Sequence, residues 1–178
     1  MRSTRKLRDL TFVALMSAFI AVSALIAIPV PLPVVITMQT LGIYLALFTL
    51  GGKRGTASVL LYIALGAVGL PVFSGFSGGV GRLLDATGGF IWGFILLALV
   101  YWLSGFILGG LDIVRAVISL VPLYLMGSVW YALVYLGGFS KIPYAMLVCV
   151  LPFVIPDIVK ILLAYYISKR LKKAGFIL

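Results

Sequence analysis

The stretch LGAVGLPVFSGFSGGVGRLLDATGGFIWGF, residues 65–94, places nine glycines between two long apolar runs. Glycine turns where other residues are sterically barred, so the segment reads as a loop joining two hydrophobic helices. It offers bare backbone amides together with Arg82 and Asp85, groups that suit a small polar ligand. Its expected place is the floor or lid of a binding site.

Outward from that loop the chain is overwhelmingly apolar. Of its 178 residues, 63% are hydrophobic and 10% charged, against roughly 25% charged in a soluble domain. The sequence is that of an integral membrane protein. A span needs about 20 apolar residues at about 1.5 Å each, so the chain holds at most about six spans with short connections. The expected fold is therefore all-α, with six transmembrane helices forming one domain over residues 1–178.

Span 1 is expected over about Leu10–Ile28, ended by Pro29, Pro31 and Pro33, which cannot donate backbone hydrogen bonds. Its basic start resembles a signal peptide, but the apolar run exceeds a typical signal core, so it reads as a retained span. Span 2 is expected from about Ile36 to Leu50, closed by Gly51-Gly52-Lys53-Arg54-Gly55, and span 3 from about Thr56 to Val72. Span 4 covers about Thr87–Leu108 and span 5 about Ile113–Leu136, each stopped by a glycine pair. Span 6, about Tyr144–Ser168, contains Pro152 and Pro156 and should bend or break in its first half.

Charge sets the expected orientation. With the amino end in the cytoplasm, Arg2, Arg5, Lys6, Arg8, Lys53, Arg54, Arg115, Lys169, Arg170, Lys172 and Lys173 lie inside, against Arg82 and Lys141 outside. Eleven against two satisfies the positive-inside rule, giving a multi-pass protein of the cell membrane with both termini cytoplasmic. The net charge of +10 sits beside apolar runs rather than in an aromatic-interleaved patch, so its expected counterpart is anionic lipid of the bilayer and not nucleic acid.

The inventory excludes most catalysis. There is no His and no Glu, one Cys (Cys149), and four acids: Asp9, Asp85, Asp112 and Asp157. A zinc site or a His-activated nucleophile lacks its parts, so neither metal nor cofactor is expected and a membrane-embedded enzyme is disfavoured. The glycine spacing matches neither a phosphate loop nor a dinucleotide fingerprint.

Asp157 and Lys160 stand out because they lie inside span 6, three residues apart and so on one helix face. Lys160 is nine residues short of the basic tail, about 13 Å along a helix, a long reach for snorkelling. Each mid-span charge costs on the order of 2.5 to 3.5 kcal/mol on insertion scales. A mutually neutralised structural pair is one reading. A polar ligand site is the other, favoured because Pro156 frees backbone groups beside Asp157. Arg82 suits a ligand carboxylate by its bidentate fork, or else pairs with Asp85 or lipid headgroups. Gly78 and Gly79 are either simple turn residues or positions of close backbone approach to a ligand, and Thr37, Gln39 and Thr40, at the start of span 2, either cap backbone or offer a ligand uncharged polar groups. Ala14 and Ala18, with Ser17 beside them, form a small-residue face that permits close helix approach.

With these motifs the chain resembles the BioY family, the biotin-specific substrate-capture (S) components of energy-coupling factor (ECF) transporters. The resemblance runs through PLPVVITMQTLG (31–42), the glycine-rich stretch (65–94) and PFVIPDIVK (152–160). It implies a six-helix S-component-like bundle that binds biotin from outside and works with a transmembrane coupling subunit and two cytoplasmic ATPases. On the same resemblance Asp157 and Lys160 look like the family's Asp-x-x-Lys ligand pair. GGVGR (78–82) looks like its ligand-facing loop, and Ala14 and Ala18 like the docking motif of S components. The chain departs from the family at 85–89, where Asp85-Ala86-Thr87-Gly88-Gly89 stands for an expected Gly-Pro-Thr-Gly-Gly. Capture of another vitamin, thiamine or riboflavin, is the neighbouring alternative; a structural or lipid-sensing protein is a third class.

Overall fold

A computed structural model describes the backbone of residues 2–28 and 34–175, with side chains from residue 5 onward. Pro29, Pro31 and Pro33 lie outside the described residues. The chain is mostly helical: α1 (Arg2–Leu25), α2 (Gln39–Ala67), α3 (Val80–Leu84), α4 (Gly88–Leu108), α5 (Asp112–Val134), α6 (Ile142–Cys149) and α7 (Leu151–Lys173). A short 3-10 turn, Phe139–Lys141, leads into α6. Among the described residues, four helical segments are long and apolar enough to cross a membrane: Arg5–Leu25, Gly88–Leu108, Asp112–Val134 and Leu151–Lys173.

The helix α2 is a hairpin rather than a rod. Gly51 takes φ +79°, ψ 169°, a left-handed conformation that glycine adopts without a Cβ penalty. A Cβ added at Gly55 would lie 2.7 Å from the Leu47 Cα, whereas eight residues of straight helix span about 12 Å. The arms 39–50 and 52–67 are therefore antiparallel neighbours, separated at the glycine turn where the sequence places the boundary between spans 2 and 3.

Two ends of the bundle follow. One carries the start of α1, the Gly51 turn, the α4–α5 turn and the basic end of α7. Asp9 pairs with Arg54 there at 3.0 Å. At the α4–α5 turn Arg115 pairs with Asp112 at 2.8 Å and donates twice to the Tyr101 carbonyl. Arg115, counted in the sequence among the cytoplasmic-side cations, is thus a buried clamp. The opposite end carries residues 26–28 and 34–38 and the connections 68–87 and 135–141.

Helix α1 packs chiefly on α2, and α4 and α5 form the most extensive pair. Their close approach comes from glycine at one-turn spacing on α4. A Cβ at Gly89 would collide with the Trp130 side chain, and one at Gly93 would sit 2.8 Å from Leu123 Cδ1. Small residues at such spacing let membrane helices meet backbone to backbone. Buried Tyr44, Tyr62, Tyr101, Leu97, Leu123 and Ile161 fill the centre. The perimeter is apolar too: Phe106 is 78% exposed, Ile107 87% and Ile155 75%. Soluble monomers do not expose contiguous apolar patches on this scale, so that outer surface is the face presented to lipid.

Several boundaries differ from the sequence-based expectation. Helix α1 stops at Leu25, and Ala27–Ile28 pairs antiparallel with Ile36–Thr37, a contact between segments that local pattern does not reveal. The third apolar run ends its helix at Ala67 instead of Val72, because Gly69 turns at φ +104°. The sixth divides at Val150, whose φ and ψ of −121° and −55° separate α6 from α7. Pro152 then falls at the start of α7, where its missing N–H costs nothing, while Pro156 remains inside that helix.

Candidate functional site

At the end that carries the connections, a cavity opens between the α2 hairpin, α4, α5, α6 and α7. The space open to the centre of a water molecule is about 120 Å³. Phe73, Phe90, Phe94 and Phe153 wall it, and Asp157 and Lys160 line it as a charged pair. The two side chains are 5% and 7% exposed.

The pair is the centre of a four-residue network. The one-turn offset on α7 brings Lys160 Nζ to 2.8 Å from Asp157 Oδ1. Thr40, in the first turn of α2, donates from Oγ1 to the same oxygen at 2.8 Å and accepts from Lys160 at 3.2 Å. Tyr124 of α5 donates to Asp157 Oδ2 at 2.8 Å. Two charges with these partners satisfy the condition for tolerating burial, a close opposite charge plus hydrogen bonds.

A second polar chain fixes the rim. Thr37 donates to Gln39 Oε1 at 2.9 Å, and Gln39 Nε2 donates to the Tyr62 hydroxyl at 2.7 Å. The Tyr62 ring meets Phe73 edge-on, centroids 5.6 Å apart. Phe73 lies over Gly66, where any side chain would overlap its ring. Thr37, Gln39 and Phe73 all line the cavity.

Arg82 also lines the cavity, held by an ion pair to Asp85. Asp85 Oδ1 accepts from the Ala86 amide at 2.7 Å, and its carbonyl accepts from Trp130 Nε1 at 2.9 Å. The residue at which the sequence departs from the family pattern thus has a concrete role, since Asp85 holds Arg82 and ties the loop to α5. Gly78 and Gly79 lie outside the cavity lining. Gly79 donates to the Gly66 carbonyl at 2.7 Å, and a Cβ at Gly78 would overlap the Leu70 carbonyl. Close packing of the loop on itself accounts for glycine at 78, and a left-handed φ of +91° accounts for it at 79.

Ala14 and Ala18 do not line this cavity and lie on the exposed face of α1, while Met16, Ser17 and Ile20 turn inward. Tyr124 is the member of the network that sequence reading did not single out. A tyrosine within an apolar span has many uses, and its only local signal is the neighbouring Pro122. Cys149, 1% exposed, is a further wall residue that sequence left without a place.

A charged, hydrogen-bonded floor beneath aromatic walls, inside a bundle with a lipid-facing perimeter, defines a membrane-embedded small-molecule-binding protein. The chain belongs to the BioY family, whose family model matches residues 1–175. It is 38% identical to the probable biotin transporter BioY of Pyrococcus horikoshii, over 94% of this chain and 98% of that one. It is 37% identical to the biotin transporter BioY of Thermotoga maritima, over 94% and 97%. The crystal structure of the S component for biotin from an ECF-type ABC transporter superposes with TM-score 0.82 at 29% identity, covering 97% of this chain and 95% of that one.

Proposed function

We propose that this chain is the biotin-binding membrane subunit, or S component, of an ATP-driven ECF-type uptake transporter. It captures substrate and is not an enzyme. The observation that carries the reading is the buried Asp157–Lys160 pair at the floor of an aromatic-walled cavity, in a chain of this family. A ureido N–H of biotin suits Asp157, its ureido carbonyl suits Lys160, its bicyclic ring suits the phenylalanine walls, and its carboxylate suits Arg82. Gln39 and Thr37 hold the rim, and Gly78 and Gly79 shape the loop that closes beside it. Purified in detergent, the chain is expected to retain labelled biotin at about one per chain and to release it to excess biotin but not to thiamine or riboflavin. Retention of thiamine or riboflavin instead would move the assignment to another vitamin, and hydrolysis of ATP by the pure chain would remove the S-component reading.

In the membrane, residues 1–178 act as one transmembrane domain of six spans: α1, the two arms of α2, α4, α5, and α6 with α7 together. Both termini face the cytoplasm and the cavity end faces outside, a reading supported by the clustering of basic residues at the opposite end. An impermeant thiol reagent is expected to label Ser77→Cys in intact cells, and to label Arg5→Cys and Lys173→Cys only after permeabilisation. The native Cys149 is buried and gives little background. The reverse pattern would invert the topology. The partners are a transmembrane coupling subunit, reached through Ala14 and Ala18, and two cytoplasmic ATPases.

A further inference from the structure

An ionised carboxylate has about four lone-pair sites and an ammonium three N–H donors. Among the described residues, Asp157 Oδ1 accepts from both Thr40 and Lys160, and Oδ2 accepts from Tyr124. One acceptor site on Oδ2 is left over. Lys160 gives one N–H to Asp157 and one to Thr40, so one donor is left over as well. Both residues line the cavity. The charged pair therefore offers a ligand one acceptor beside one donor, not a full carboxylate and a full ammonium.

We propose that Tyr124 is a positioning residue that sets the selectivity of this site: by occupying Asp157 Oδ2 it restricts the pair to ligands presenting one N–H beside one C=O, the edge of a cyclic urea. The proposal rests on the reading that the cavity takes biotin. It predicts what the site refuses. A ligand that places a donor where biotin has its carbonyl finds no vacant acceptor on Asp157 and meets the Lys160 ammonium head on. With the Tyr124 hydroxyl removed, the second lone pair of Oδ2 becomes available for the additional donor, and the carboxylate faces the ligand with less of its charge satisfied.

The probe is 2-iminobiotin, in which an imine replaces the ureido carbonyl and is protonated at neutral pH to a cyclic guanidinium. Affinities for biotin and 2-iminobiotin are measured on the full chain in detergent for wild type and Tyr124→Phe. The expected result is that wild type prefers biotin strongly and that Tyr124→Phe narrows the preference by at least about tenfold, the scale of one hydrogen bond to a charged group. Biotin binding itself should weaken only a few-fold. Equal weakening for both ligands, leaving their ratio unchanged, would make Tyr124 merely structural and overturn the inference while the biotin reading stands. Wild type that retains no biotin overturns that reading instead. Should Tyr124→Phe not purify, Tyr124→Met, apolar, flexible and lacking the hydroxyl, is read by the same ratio.

Discussion

Replacing Asp157 by Asn and Lys160 by Met together is expected to lower biotin affinity by orders of magnitude while the bundle still folds. The two side chains are bonded to each other at 2.8 Å and almost wholly buried. Removing one alone strands the other as an unpaired charge, at about 3 to 5 kcal/mol, so a single variant confuses folding with binding. The double change removes both charges at nearly constant size, and the amide oxygen of Asn can still accept from Thr40 or Tyr124. What disappears is the polar edge offered to the ligand. Two hydrogen bonds to charged groups are worth about 1.5 to 3 kcal/mol each, and each 1.4 kcal/mol is about tenfold. The loss should therefore lie between roughly a hundredfold and ten-thousandfold. Calorimetric titration with biotin, alongside the gel-filtration profile, reads both quantities. Affinity within a few-fold of wild type would make the pair a structural device.

Replacing Ala14 by Trp is expected to abolish copurification with the coupling subunit while leaving biotin binding intact. Ala14 and Ala18 are exposed, one turn apart on α1, among Leu7, Leu10, Leu15 and Val22, which are 57–68% exposed. Two small residues among larger ones leave a notch into which a second helix can settle, and an indole fills it. Because α1 meets α2 through the opposite side, at Met16, Ile20 and Ala24, the substitution does not intrude on the protein's own core. If binding and copurification are lost together, the alanine face is serving internal packing.

Sequence alone made the Asp157–Lys160 pair legible, because charges inside an apolar run are costly and their three-residue spacing puts them on one helix face. The Gly51 reversal was legible for a similar reason, since GGKRG combines the one residue free to turn with two charges that resist burial. The partners of the pair were not. Thr40 lies 117 residues from Asp157 and Tyr124 lies 33 away, and no local periodicity encodes which hydroxyl of which helix will face a carboxylate. The strand pair 27–28 with 36–37 was hidden likewise, because two residues carry no alternation to read. Asp85 looked like an anomaly in the glycine-rich loop and became intelligible only with Trp130 and Arg82 beside it. The split at Val150 shows the limit of proline as a marker: Pro152 signals a boundary nearby, and the boundary falls before it because a proline is at ease in a first turn.

The Gly51 hairpin has a mechanical consequence. By reversing the chain it puts the beginning and the end of α2 side by side, so that Gln39 meets Tyr62 and Gly66 receives Phe73. Residues 34–38 before α2 and the connection after it, which both border the cavity, consequently stand on a common foundation. The facing wall is built by α5, α6 and α7, with Tyr124 and the charged pair set in it, and Thr40 ties the hairpin to that wall through Asp157.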